Sequence, residues 1–174
     1  MRFALRAYRP EDFQTLWEID QSCFTPEIAY SQFELRFYVR RPQAFTIVAE
    51  EIAAADGAQS ESPLSQSNPS SILGFLVGDI TPRGWGHIIT IDVRERGRCH
   101  GIGSALLGAA ETRFQRKNCP AIRLETAVNN IGALHFYKRH GYDVVRTVPH
   151  YYSDGLDALL LEKVLVKSSA QHLH

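Results

Sequence analysis

The chain of 174 residues is long enough to bury one substantial core, and with 44% hydrophobic and 22% charged residues it has the usage of a folded globular domain, not of a disordered chain. Nineteen basic residues balance nineteen acidic ones, so no net attraction draws the protein to a phosphate backbone or an anionic bilayer, and neither nucleic acid nor membrane is expected as a partner. The opening MRFALRAYRP has no apolar signal core and no apolar run nears the roughly 18 to 20 residues that cross a bilayer, which leads to the expectation of a soluble, cytoplasmic protein.

In chain order, Phe3 to Tyr8 alternates like a first strand, and Arg9-Pro10-Glu11-Asp12 resembles a helix start with acids in the first turn. Leu16, Ile19, Cys23 and Phe24 recur at helical spacing until Thr25-Pro26 breaks the run. A second helix is expected around Phe33, Leu35, Phe37 and Tyr38. Phe45 to Val48 and Ile72 to Ile80 read as partner strands. Between them, residues 53–71 are rich in Ser, Ala, Gln and Pro, too poor in apolar groups to offset the entropy of ordering, and are expected to form a flexible polar insertion.

His87 to Val93 is a near-continuous apolar strand of the kind buried on both faces. A helix from about Gly103 to Arg116 follows, with Ala105, Leu106, Ala109 and Ala110 toward the core. Ala121 to Thr126 reads as a strand, and Asn129 or Asn130 caps a helix that ends near His140, where Gly141 can take the left-handed closing conformation. Tyr142 to Val148 and Leu156 to Val166 complete the set. The order β-α-α-β-β-β-α-β-α-β-β predicts an α/β (α+β) fold, a mixed sheet of about seven strands with about four helices on both faces. A single domain is expected over 1–166, with a disordered tail at 167–174 whose His172 and His174 do not suggest a metal site. Cys23, Cys99 and Cys119 are odd in number and lack metal-like spacing, so free thiols and no metal are expected.

Strand, glycine turn, helix is the arrangement by which backbone N–H groups and a helix N-terminus meet a phosphate. Gly101 and Gly103 let an anion approach the main chain, while Arg94, Arg96 and Arg98 add positive charge nearby. Two glycines alone fit a ligand-free turn equally well. The sextet Arg98-Cys99-His100-Gly101-Ile102-Gly103 resembles the Arg/Gln-x-x-Gly-x-Gly/Ala signature of the GNAT N-acetyltransferases, and the run LETAVNNIGALHFYKRHGY resembles their strand, Asn, Tyr-bearing helix and Gly-aromatic pattern, especially in the RimI-like branch that acetylates protein N-termini.

That resemblance implies the GNAT fold, acetyl-coenzyme A as cofactor, and a cofactor site made of Ile91, Asp92, Val93, Arg98, Cys99, His100, Gly101, Ile102, Gly103, Ser104, Asn130 and Tyr137. A tyrosine hydroxyl suits the protonation of a departing thiolate, the role implied for Tyr137. Two residues compete as base: Glu125, which matches the RimI-like glutamate, and His87, which stands where related enzymes place a water-positioning Tyr and has the better-suited intrinsic pKa. The segment Tyr151-Tyr152-Ser153-Asp154-Gly155 is similar to the RimI-like segment that flanks an incoming peptide, with Phe24 and Tyr30 as the opposite wall. The implied acceptor is a protein or peptide N-terminus, with ribosomal proteins among the candidates, served by a monomer or weak dimer. A small-molecule amine acceptor and a non-catalytic coenzyme A sensor are the competing readings.

Overall fold

The computed structural model describes residues 1–52 and 71–165. The polar insertion, apart from Ser71, and the C-terminal tail with His172 and His174 lie outside the described residues, as does the last residue of the strand expected to end at Val166. The described elements are β1 (Phe3–Ala7), α1 (Phe13–Cys23), α2 (Gln32–Val39), β2 (Phe45–Glu51), β3 (Ile72–Ile80), β4 (Gly86–Val93), α3 (Ile102–Arg116), β5 (Ala121–Ala127), α4 (Ile131–Arg139), β6 (Asp143–Val148) and β7 (Ala158–Val164).

The strands form one seven-stranded sheet in the order β1-β2-β3-β4-β5-β7-β6. Every pair is antiparallel except β4 with β5, which makes the sheet mixed as expected. Its apolar side chains divide between two clusters. Phe13, Leu16 and Ile19 of α1 and Leu35 of α2 pack with Val48, Phe75 and Val77. Leu106, Leu107, Ala110 and Phe114 of α3, together with Tyr137 of α4, pack with Leu73, Leu76, Ile122 and Leu124. Each fully buried aliphatic or aromatic side chain contributes about 1.5–3 kcal/mol, so the two layers fix which face each helix covers.

Local chemistry explains the boundaries. Before α1 the chain makes a short turn at Pro10–Asp12, and buried Asp12 accepts from the backbone N–H of Arg9 at 2.8 Å and pairs with Arg6 at 2.7 Å. Ser31 and Glu34 cap α2 reciprocally, each side chain bonding the other's backbone N–H. At the far end of α3, Phe114 lies across β4 because Gly86 has no Cβ, and a Cβ there would stand 2.7 Å from the ring. Gly141 closes α4 with φ of 82°.

Three expectations are corrected. β4 is not buried on both faces: Gly86, Ile88, Thr90 and Asp92 are buried, while His87, Ile89, Ile91 and Val93 are half-exposed. On α3, Ala105 and Ala109 are only half-buried, and Ile102, Leu107 and Phe114 take core positions instead. Tyr142 precedes β6 rather than starting it, and its ring meets Tyr137 at 5.6 Å in the core.

Candidate functional site

The parallel pair creates the site. β4 and β5 pair at Gly86↔Ile122 and His87↔Arg123, and beyond these positions they diverge around a cleft of about 650 Å³. Residues Ile88 to Val93 line one wall and Leu124 to Ala127 the other. The half-exposed face of β4 is therefore a cleft wall, which is why the strand alternates.

One end is built from the turn into α3. Gly101 is the N-cap, has φ of 81° and offers no side chain to satisfy the first-turn N–H groups. A Cβ there would meet nothing within 4 Å, so the space above the helix end is open. Four donors and the positive end of the helix dipole thus face a place that an anion can occupy. Cys99 is exposed with φ of 62°, and His100 bonds the Arg98 carbonyl through Nδ1 at 2.7 Å, which holds the turn in shape.

Of the three arginines expected near this anion site, only Arg98 lines the cleft. Its Nε donates to the Val93 carbonyl at 3.2 Å. Arg94 reaches instead to the Ile72 carbonyl at 3.0 Å, and Arg96 pairs with Glu51 at 2.6 Å, so neither guanidinium is turned to the cleft.

Ile91, Asp92, Val93, Ile102, Gly103 and Ser104 all line the cleft. The Ser104 hydroxyl also bonds His140 Nε2 at 3.0 Å, linking the start of α3 to the end of α4. Asn130 lines the cleft and caps α4, its Oδ1 accepting from the Ala133 N–H at 3.1 Å, and its amide NH₂ has no hydrogen bond among the described residues. Tyr137 is buried in the same cleft. Burial first, then the nearby Asp92 and Tyr152, push its hydroxyl above the ordinary tyrosine range, so it keeps its proton at neutral pH.

The other end is aromatic and holds one charged pair. Phe24, Tyr30, Tyr151 and Tyr152 line it, and the two last rings meet edge to face at 5.0 Å. A turn follows at Asp154-Gly155, with Gly155 at φ of 83° and its N–H bonded to the Tyr152 carbonyl at 2.9 Å. His87 Nε2 lies 2.8 Å from Glu125 Oε2. Burial alone would lower the His87 pKa, but the close approach of the Asp79 carboxylate at 3.5 Å and the hydrogen bond and charge of Glu125 outweigh it and raise the pKa to about 9. His87 is therefore an imidazolium at neutral pH, in contact with the Glu125 carboxylate. Burial, with Glu125 next, pushes Tyr152 up to about 12.

The sequence reading missed several members of the site. Ile28 and Tyr38 line the aromatic end, and Arg139 and Cys23 also reach the cleft. Asp79 and Arg41, which pair at 2.6 Å, stand behind His87. A lone carboxylate in the apolar run Leu76-Val77-Gly78-Asp79-Ile80 was the one available signal. Asp92 in the cleft wall and Asp20 outside it are both buried, and each leaves one carboxylate oxygen without a hydrogen-bond partner among the described residues. Burial foremost raises Asp20 to about 6, and burial followed by Asp20 raises Asp92 well above the carboxylate range.

Among the described residues no helix is long and apolar enough to cross a membrane, and no group of three or more His, Cys, Asp or Glu could hold a metal ion.

Residues 13–142 match the model of the Acetyltransferase (GNAT) family. The chain is 32% identical over 160 residues to an uncharacterized N-acetyltransferase of Methanocaldococcus jannaschii, an alignment spanning 91% of this chain and 90% of that protein. It is 40% identical over 77 residues to an N-alpha-acetyltransferase of Sulfurisphaera tokodaii, covering 44% of this chain and 46% of that protein. Among solved structures, Ard1 from Thermoplasma volcanium superposes with a TM-score of 0.77 at 25% identity, covering 95% of this chain and 99% of that one.

Proposed function

Since the chain belongs to the GNAT acetyltransferase family and is an N-acetyltransferase, we propose that it carries acetyl from acetyl-coenzyme A to the α-amine of a protein or peptide N-terminus by direct attack. The observation that carries this reading is the division of the cleft: a bare helix N-terminus at Gly101 lies toward one end, and the Glu125–His87 pair beneath Tyr151 and Tyr152 at the other. The names of relatives in Sulfurisphaera tokodaii and Saccharomyces cerevisiae, both N-alpha-acetyltransferases, agree with it.

The glycine turn suits the pyrophosphate of coenzyme A, because uncapped donors and open space meet there. Arg98 and the amide NH₂ of Asn130 would hold the rest of the cofactor. When bound, the cofactor supplies an acyl thioester. Glu125 accepts the proton of the incoming amine; His87 already carries its own proton at neutral pH and so acts as the partner of Glu125, not as the base. An α-amine with a pKa near 8 is about a tenth neutral at pH 7, so a weak base suffices, whereas a lysine amine is neutral only in a few parts in ten thousand. Tyr137 holds the proton that the departing sulfur requires. Cys23 lines the cleft, but burial first and Asp92 next raise its pKa and keep it a thiol, which speaks against a covalent acyl-enzyme.

The acceptor follows the RimI-like mode, an extended N-terminus lying between Tyr151 and Tyr152 on one side and Phe24 and Tyr30 on the other. The test compares a peptide with a free N-terminus, ribosomal-protein termini included, with its N-blocked lysine-containing analogue and a panel of small amines. Transfer to the free α-amine alone is expected, and transfer confined to small amines would overturn the proposal. Tight acetyl-coenzyme A binding with no turnover on any amine would identify a sensor instead.

A further inference from the structure

Behind the Glu125–His87 pair a line of alternating charge continues through Asp79 and Arg41, neither of which lines the cleft. Arg41 Nη1 meets Asp79 Oδ2 at 2.6 Å, Asp79 Oδ1 stands 3.5 Å from His87 Nδ1, and His87 Nε2 is 2.8 Å from Glu125 Oε2. The backbone sets this up, since Asp79 on β3 is the register partner of His87 on β4. The Asp79 side chain is 2% exposed, and its Oδ1 has no hydrogen bond of good geometry among the described residues; the His87 ring is its nearest charged neighbour on that side. A buried carboxylate is costly unless a charge compensates it. Arg41, half in solvent, compensates one oxygen, and His87 the other.

We infer that Asp79, anchored by Arg41, is a positioning residue that holds the His87 ring with Nε2 turned toward Glu125 and thereby aims the Glu125 carboxylate at the acceptor amine. The catalytic part of this inference rests on the reading of Glu125 as proton acceptor. An imidazole flanked by carboxylates on both sides satisfies both only when each nitrogen carries a proton. A neutral ring would leave one carboxylate facing a lone pair, and the ring would then be free to turn away. The raised His87 pKa agrees with the doubly protonated form. The charged and titratable groups around this line are Arg41 and Tyr38 near α2, Asp79 on β3, Glu125 and Arg123 on β5, and Tyr151 and Tyr152 from the loop before β7. Arg123 is taken up by Glu162 at 2.6 Å and by the Trp85 ring at 3.3 Å, which leaves Asp79 and Glu125 as the anions that hold the His87 charge.

The test is nitrogen NMR of His87 in the intact protein together with the pH profile of turnover. In the wild-type protein at pH 7.5, both ring nitrogens are expected to be protonated; a neutral ring there overturns the inference without any variant. In folded Asp79→Asn the His87 midpoint is expected to fall by at least about one unit, a tenfold change in its protonation equilibrium. The turnover profile should shift with it, while the peptide KM stays within about twofold. In a His87→Ala background, Asp79→Asn should have no further effect on kcat. A midpoint that does not move in Asp79→Asn overturns the positioning role even if Glu125→Gln abolishes turnover. A midpoint that moves while Glu125→Gln keeps full turnover removes the proton-acceptor reading, and with it the catalytic part of the inference.

Discussion

The Ser153 hydroxyl donates to the Glu27 carbonyl at 3.1 Å and so ties the loop before β7 to the loop between α1 and α2, segments far apart in the chain that meet at the aromatic end of the cleft. An exposed neutral bond of this kind has a net worth of about 0.5–1.5 kcal/mol. Ser153→Ala is accordingly expected to raise the peptide KM about two- to tenfold with kcat within about twofold. Steady-state kinetics on one peptide checks this, and an unchanged KM means that the tie does not shape the acceptor end.

Tyr137 makes no hydrogen bond through its hydroxyl among the described residues and keeps its proton, as the combination of burial, Asp92 and Tyr152 requires. If that proton goes to the departing sulfur, Tyr137→Phe lowers kcat by about 100-fold. Coenzyme A affinity, measured by calorimetry, should change by less than about threefold, because the substitution leaves the ring and its contacts in place. Equal loss in both quantities would assign Tyr137 to binding alone.

Asp20 accepts from the Tyr30 N–H at 2.8 Å and from Gln21 at 3.0 Å, yet burial lifts its folded pKa to about 6, above the ordinary 3.8. The folded protein then holds this proton more tightly than the unfolded chain, so stability falls as pH rises from about 4 to about 6 and stays lowered above that. Asp20→Asn should raise Tm by about 2–8 °C at pH 7.5 and by little or nothing at pH 4. Thermal melts at the two pH values decide, and a gain that is equal at both would remove the titration argument.

Gly101 sits in the left-handed region with empty space where a Cβ would stand, so a side chain there costs backbone strain and not a clash. Gly101→Ala is expected to destabilise by about 1–2 kcal/mol in urea unfolding and to weaken coenzyme A binding, and Gly101→Asn should cost less on both counts.

The order of all eleven elements could be read from the sequence because each carries its own period and punctuation: Pro10 before α1, Asn130 and Gly141 around α4, the alternation in β1. The two ends of the cleft were likewise legible, since glycines at a strand-to-helix turn and paired tyrosines at a hairpin announce themselves locally. What could not be read depends on register. Nothing in HIITIDV tells that its neighbour diverges after His87, so in sequence a strand with one open face looks the same as one covered on both. The arginines of the RERGR run look equivalent in sequence, and only the fold shows Glu51 and the Ile72 carbonyl taking two of them. Asp79 and Arg41 are dozens of residues from Glu125; the pairing of β3 with β4 sets Asp79 beside His87, and Arg41 reaches it from the loop after α2.

The divergence of β4 from β5 also has a mechanical side. Four strands stand on one side of it and three on the other, and the hydrogen bonds joining the two groups are confined to the Gly86 and His87 end. Toward Val93 and Ala127 no strand-to-strand ladder joins the two groups among the described residues, and side-chain ties such as Ser104–His140 take its place, like a hinge pinned at one edge. A long ligand lying in the wedge bridges both leaves, so occupancy should stiffen the whole sheet and slow amide exchange in β6 and β7, strands that touch the cleft only through their neighbours.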